Sequence, residues 1–398
     1  MRGLISTVRT RLDLWAPAKD TPIAIAVSGG SDSLALMELV TPWARDRGGD
    51  TLALTVDHGL RPEAASEAQF VADYCQSRGI PHRTLTWSPP AASITAARAR
   101  RARHRLLASA VREAGANWLL LGHTRDDQAE TVVMRQRAGA TGPGLAGIRA
   151  ATMSPIWPDG RGVRLFRPCL GVSRQALRDH LRAAGQSWIE DPTNANEGFE
   201  RVRVRIDLAA NHALGRAALV LADEVGAARR AQDVRIARWL QTQVHAGEDG
   251  LIACDPATLS IEDFAEALAH LLMAAAGTDR RAPRNARRAL AAHLKGGCAG
   301  EAQTLGGAWA ARRRGYIHIA RDPGETPAFN QGQAGVWDGR FQIRLVTNHP
   351  QAADSKPDIR PLARPGYPGT ASDQTAECLI AGRLRDIAAM LASPMNKL

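Results

Sequence analysis

The run Ser28-Gly29-Gly30-Ser31-Asp32-Ser33 constrains this chain more than any other stretch. It follows the short segment Ile23-Ala24-Ile25-Ala26-Val27 without a spacer and opens onto a helical pattern that continues to about Arg45. A buried strand that turns on glycines straight into a helix brings free N–H groups and the positive end of the helix dipole to one point. The glycines permit positive φ and close approach of the backbone to a ligand. Ser28, Ser31 and Ser33 add hydroxyl donors, which completes a cradle for phosphate. Asp32 places negative charge beside that phosphate, and a divalent cation bridging the two resolves the conflict. A Gly-Ser turn that merely caps a helix would leave Asp32 in a favourable first turn too. The strand before it and the Asp-Ser pair within it favour a nucleotide site.

The first third of the chain repeats this alternation. Uninterrupted apolar runs at 51–56 and 118–121 suit strands buried on both faces of a parallel sheet. Helical patterns at 32–45, 62–78 and 95–113 lie between them, which predicts right-handed βαβ units and a doubly wound α/β domain. Past Thr141 the texture changes. A glycine loop near 139–147 leads to a strand at 163–166, a helix at 173–184 and a loop or linker at 185–200. A long Ala/Arg/Leu-rich helical stretch covers 202–243, with helices near 261–276 and 283–294 and strand-like pieces at 308–320 and 341–346. The expected fold is therefore a doubly wound parallel sheet, then a mainly helical region, then a small mixed α/β C-terminal region. Boundaries near 212 and 325 divide it into domains of 1–212, 213–325 and 326–398. The Pro/Gly/Asp-rich stretch 348–375 makes the last of these a candidate for a reduced or partly disordered domain.

Composition narrows the classes. At 398 residues and 44% hydrophobic, the chain exceeds one typical core and is too apolar for a disordered protein. It has no apolar run of membrane-spanning length and no secretory signal pattern, so a cytoplasmic protein without membrane contact is expected. The cysteines at 75, 169, 254, 298 and 378 are scattered, with no CxxC or Cys/His spacing for disulfides or zinc. A formal charge of +11 fits a polyanionic partner such as nucleic acid. Lysine stands only at 19, 295, 356 and 397, so arginine carries that charge, a bias that GC-rich coding also produces.

Three further groups carry chemistry. Val56-Asp57-His58-Gly59-Leu60-Arg61 ends the second strand at the crevice edge where open α/β sheets bind ligands. Within the helix at 95–113, Arg98, Arg101 and Arg105 share one face and Arg100 with Arg103 another. Leu121-Gly122-His123-Thr124-Arg125-Asp126-Asp127-Gln128-Ala129-Glu130-Thr131 runs from a strand end into a helix, with His123 facing the crevice. Asp127 and Glu130 are i, i+3 neighbours that could hold an ammonium, bind Mg²⁺ or take a proton from an amine. The string Gly142-Pro143-Gly144-Leu145-Ala146-Gly147 spells GxGxxG but follows a helix, so it is not read as a dinucleotide fingerprint.

Taken together, these strings resemble the tRNA(Ile)-lysidine synthetases, a family of the PP-loop, N-type ATP pyrophosphatase superfamily. The loop at 28–33 resembles the PP-loop, and Val56 to Arg61 is similar to the family's VDHGLR. Arg100 and Arg103 match ARxxRY, with His104 in place of Tyr. Gly122 to Thr131 resembles GHHxDDQxET, with Thr124 and Arg125 as departures. Arg167-Pro168, Glu190-Asp191-Pro192-Thr193-Asn194, and Arg201 with Arg205 follow the later elements, with Val202 in place of Asn. The resemblance spans roughly 20–205 and is thin beyond, where Thr304 to Gly307 and Arg364-Pro365-Gly366 are only compatible with tRNA-binding C-terminal domains.

The resemblance implies ligation of free L-lysine to C2 of the wobble cytidine in isoleucine tRNA with a CAU anticodon. The route is an adenylated tRNA, with ATP cleaved to AMP and pyrophosphate. ATP would sit on Ser28, Gly29, Gly30, Ser31, Asp32 and Ser33, near Asp57, His58 and His123, with Mg²⁺ on Asp32. Asp32, Asp127, Glu130, Arg100 and Arg103 would be the catalytic set, Asp127 taking the amine proton. Arg201 and Arg205 would contact tRNA phosphates. Two other readings compete: a tRNA-thiolating PP-loop enzyme, which would want paired cysteines, and a tRNA-binding protein with a degenerate nucleotide site. Amide formation lacks an evident glutaminase half.

Overall fold

The computed structural model describes residues 2–15, 21–59, 62–88, 95–190, 196–296, 301–327, 334–345 and 374–393. Leu60, Arg61, residues 191–194, Cys298 and Arg364-Pro365-Gly366 lie outside them, as does nearly all of the Pro/Gly/Asp-rich stretch. The chain divides into two compact units, one through Ala231 and one over Gln232–Ala392.

In chain order the first unit carries helix α1 (Arg2–Trp15), strand β1 (Ile23–Ala26), α2 (Ser31–Asp46), β2 (Thr51–Asp57), α3 (Glu63–Gln76), β3 (His82–Thr86) and α4 (Ala96–Glu113). There follow β4 (Trp118–Leu120), α5 (Arg125–Arg137), β5 (Ala151–Met153), β6 (Arg164–Phe166), α6 (Arg174–Ala183), α7 (Glu200–Ala210) and α8 (His212–Thr242), the last running across the division between units. The sheet order is β3-β2-β1-β4-β6-β5. β3, β2, β1, β4 and β6 are parallel, and β5 pairs antiparallel with β6.

The apolar runs became the buried centre. All four residues of β1 and all three of β4 are buried, and they pair in register as Ala24↔Leu119 and Ile25↔Leu120. From β1 the chain winds outward through β2 to β3, then returns to lay β4 on the other side. That reversal is a topological switch point, where loops leaving the two central strands part and leave a crevice. β1 and β4 deliver the turn at 28–33 and Gly122-His123 to that crevice. The parallel sheet expected from the sequence is this one.

Three local departures have physical reasons. β3, His82-Arg83-Thr84-Leu85-Thr86, is a polar edge strand with no fully buried position, so it lacks the hydrophobic signal of a central strand. The N-terminal helix gave no clear pattern either. Its anchor is Trp15, which lies 5.9 Å from Trp43 in a stacked pair and 5.1 Å from Trp118 edge-on. The helical stretch at 202–243 is two helices, because Asn211 leaves the α region (φ −130°, ψ 86°). Its Oδ1 accepts from Leu214 N at 3.1 Å, an Asn cap that starts α8 anew. Val132 and Val133 of α5 pack with Val204 of α7 and Ala218 and Ala222 of α8.

The second unit holds more sheet than a mainly helical reading gave. β7 (Val244–Ala246), β8 (Ile252–Cys254), β9 (Gln303–Leu305), β10 (Ala308–Arg313) and β11 (Tyr316–Arg321) form an antiparallel sheet ordered β7-β8-β11-β10-β9, accompanied by α9 (Ile261–Ala275) and α10 (Arg284–Lys295). Most of these strands have three residues, too short to show a period. β12 (Gly335–Trp337), β13 (Phe341–Leu345) and β14 (Gln374–Cys378) make a smaller antiparallel sheet, and α11 (Ile380–Leu391) follows. Among the described residues, no helix is long and apolar enough to cross a membrane.

Candidate active site

The turn at the C-terminal end of β1 is fixed by its own hydroxyls. Ser33 Oγ donates to Gly30 O at 3.0 Å, and Ser28 N donates to Ser33 Oγ at 3.1 Å. Gly29 has φ +83°, and a Cβ there would come within 2.4 Å of Ile189 Cδ1. Ile189 N donates to Gly29 O at 2.9 Å, so residues outside the motif hold it in place. Gly122 is the second obligatory glycine. A Cβ there would meet Asp32 O at 2.9 Å, which shows how closely the end of β4 approaches the first turn of α2. Asp57 and His58 stand half-buried at the end of the neighbouring β2, with Asp57 Oδ1 accepting from Gly59 N at 2.9 Å.

Across the crevice, α5 presents its carboxylates from a capping box. Thr124 caps the helix, and its N and Oγ1 both donate to Asp127 Oδ2, at 2.7 and 2.8 Å. The departure Thr124 thus does a definite job: it locks the Asp127 rotamer. Asp127 and Glu130 are both buried, as their i, i+3 spacing on one helix face predicts.

The carboxylates are not bare. Arg174, the first residue of α6, sends Nε to Asp32 Oδ2 (3.0 Å), Nη2 to Asp127 Oδ1 (3.0 Å) and Nη1 to Glu130 Oε1 (3.2 Å). Arg201 reaches Asp127 Oδ1 at 2.9 Å and Glu130 Oε2 at 2.6 Å, and Arg205 reaches Glu130 Oε1 at 2.9 Å. Arg201 and Arg205 therefore sit on the carboxylate pair, with 40% and 34% of their side chains still exposed. Arg174 was not foreseen. The signal for it was a basic residue directly after a serine helix cap, where the dipole disfavours positive charge.

Electrostatics separate the carboxyls. Desolvation raises the pKa of Asp32, against the lowering effect of Arg174. Asp127 is also desolvated, but Arg174, the Thr124 N–H and Arg201 outweigh this and leave its pKa below the ordinary value. It stays charged.

A second group gathers arginines and two histidines. Arg100 and Arg103 of α4 remain open to solvent, yet Arg103 lies deep enough that desolvation and Arg100 lower its pKa. Burial and these arginines push His104 down to about 4, and burial with Arg167 pushes His123 down to about 3. Arg167, buried and beside Arg100, falls to about 10. His123 Nδ1 and Arg167 Nε are buried without a hydrogen-bond partner among the described residues. Two neutral imidazoles thus lie among guanidiniums in a candidate anion site, and His104, the residue standing where the family has Tyr, is one of them. Arg105, on the other face of α4, instead pairs with Asp159 at 2.6 Å.

The described cysteines are free, and Cys75, Cys169 and Cys254 are buried, with thiols raised to about 11, 12 and 12 by desolvation. Among the described residues, no cluster of His, Cys, Asp and Glu could hold a metal ion by itself.

Known proteins place this arrangement. The PP-loop domain family matches residues 5–212. The chain is 43% identical over 310 residues to a tRNA(Ile)-lysidine synthase of Hyphomonas neptunium, spanning 77% of this chain and 83% of that protein. It is 42% identical to the enzyme of that name from Mesorhizobium japonicum, over 80% of this chain and 72% of the relative. For Caulobacter vibrioides the identity is 37%, over 85% of this chain and 78% of the relative. With a PP-loop turn and a carboxylate pair meeting at the switch point, and with relatives this similar along most of its length, the chain belongs to the tRNA(Ile)-lysidine synthase family of PP-loop ATP-dependent ligases.

Proposed function

We propose that the chain adenylates the wobble cytidine of an isoleucine tRNA with a CAU anticodon and then exchanges the AMP for free L-lysine. The observation that carries this reading is the meeting of a phosphate cradle and a buried Asp127/Glu130 pair within the reach of one side chain, Arg174. The cradle binds ATP. The carboxylates have the sign for a lysine ammonium, and the cationic group of Arg100, Arg103 and Arg167 has the sign for phosphate.

In the first step the cytosine C2 oxygen bonds to the α phosphorus and pyrophosphate leaves. In the second the lysine ε-nitrogen bonds to C2 and AMP departs with that oxygen. The amine must shed a proton to attack. Asp127, held charged by its arginines, is a strong ammonium ligand and a weak final proton acceptor, so it positions the amine and relays the proton to solvent. His104 and His123, kept neutral, can donate or accept hydrogen bonds to a base edge without adding charge.

Mg²⁺ fits Asp32. Its carboxylate opens α2 beside the cradle, and with no metal-ligating cluster among the described residues an ion there would share its ligands with nucleotide phosphates. A bound ion would neutralise phosphate charge. Arg201 and Arg205 could meet an RNA phosphate through their exposed edges, and the second unit, covering parts of the proposed domains 213–325 and 326–398, would extend the tRNA contact. A cytoplasmic location follows from the substrate. A thiolation chemistry is disfavoured by Cys75, Cys169 and Cys254, which are free and buried with raised thiol pKa values. The test is pyrophosphate and AMP release from ATP by purified protein, with and without this tRNA and with and without lysine. Pyrophosphate release should need the tRNA, and AMP release should need lysine as well. Release indifferent to tRNA would sink the reading.

A further inference from the structure

From the geometry we infer that Arg174 is a positioning residue that matches charge between the nucleotide and lysine halves of the site, and this rests on the function proposed above. Each of its three guanidinium nitrogens donates to a different carboxylate: Asp32 on α2, Asp127 and Glu130 on α5. Its backbone N donates to a fourth, Asp126 Oδ2, at 2.8 Å. The side chain is 17% exposed, so these contacts are largely shielded from water.

The placement runs against local preference. Arg174 is the first residue of a helix capped by Ser173, the end where a cation is disfavoured and an acid expected. Side chains that break a local rule and still bond on every side are expected at functional positions. A lysine could not replace it, since an ammonium lacks the planar fork that spans three acceptors.

The partners are unequal. Asp127 and Glu130 also bind Arg201, and Glu130 binds Arg205. Asp32 has no other ion pair among the described residues. Before any divalent ion arrives, Arg174 is thus the one cation paired with Asp32 among the described residues, and it also competes with an incoming ammonium for Asp127 and Glu130. Removing its charge should have opposite effects on the two ligands. Metal-free ATP meets an uncompensated Asp32 and binds more weakly. Lysine meets freed carboxylate oxygens and binds more tightly, while turnover falls because the two halves are no longer held in register.

The experiment measures dissociation constants for ATP without Mg²⁺ (EDTA present) and for L-lysine by calorimetry on the full chain, for the wild type, Arg174→Gln and Arg174→Lys, with thermal unfolding as a folding control. Arg174→Gln should weaken metal-free ATP and tighten lysine, each by about tenfold, the effect of ~1.4 kcal/mol. Arg174→Lys, which keeps the charge and loses the fork, should leave both constants within about twofold while lysine-dependent turnover drops at least tenfold. Parallel weakening of both ligands, or no shift in either, in a folded Arg174→Gln protein would overturn the inference. A wild-type protein that binds no lysine would instead overturn the proposed function, and the inference with it.

Discussion

Replacing Glu130 with Gln is the most informative single change, because its consequences can be worked out atom by atom. The side chain is 1% exposed, and Oε1 accepts from Arg174 and Arg205 while Oε2 accepts from Arg201. Glutamine keeps the shape, but either amide orientation turns an NH₂ toward a guanidinium. Breaking a buried ion pair from one side costs about 3–5 kcal/mol. Here Arg174 and Arg201 retain Asp127, and Arg201 and Arg205 have access to water, so about 2–3 kcal/mol is a better figure. In a unit of this size that corresponds to a melting temperature lower by roughly 5–10 °C, readable by scanning calorimetry. Losing one charge-assisted contact to the ammonium costs about 1.5–3 kcal/mol, so KM for lysine should rise roughly 10- to 100-fold. Adenylation of the tRNA, which needs no ammonium, should change much less. A lysine KM within twofold of wild type, in a protein that melts lower as expected, would refute the assignment of this pair to lysine.

Gly122→Ala would drive a methyl group against the Asp32 backbone, so Mg·ATP affinity should fall at least about tenfold and stability by about 1–3 kcal/mol. Unchanged ATP binding by calorimetry would contradict the packing of the β4 end on the cradle. The stability of the wild type should fall as the pH drops from about 6.5 toward 5, because His123 stays neutral in the folded protein (pKa about 3) while the unfolded chain takes up the proton. His123→Gln should flatten that slope in melts between pH 7 and 5, by up to about 1.4 kcal/mol per pH unit; equal slopes would exclude His123 as its source. Asp32→Ala should abolish pyrophosphate release and leave tRNA binding, read by filter retention, within a few fold of wild type.

The nucleotide half of the site was legible because its physics is local: strand, glycine turn and helix are contiguous, whereas the strand order that reverses between β1 and β4 is set by long-range pairing that alternation does not encode. Asp127 and Glu130 were legible through helical spacing. Arg174 was not, because its significance lies in contacts to residues 142, 47 and 44 positions away, which no local pattern encodes. Arg201 and Arg205 were visible as a basic helix face, but whether such a face meets RNA or carboxylates depends on where α7 packs. In the second unit, three-residue strands such as β7, β8 and β9 fall below any detectable period, while the longer hairpin of β10 and β11 was seen as strand-like pieces.

Lysine on the wobble base is the outcome that matters most. Purified protein would be incubated with ATP, Mg²⁺, isotopically labelled lysine and an unmodified CAU-anticodon isoleucine tRNA, and the nucleosides of the digested anticodon separated by mass spectrometry. One labelled lysine joined to the wobble cytidine, with one AMP formed per lysine incorporated, is the expected product. An unmodified cytidine in the presence of tRNA-dependent AMP formation, or label on any other nucleoside, would contradict it.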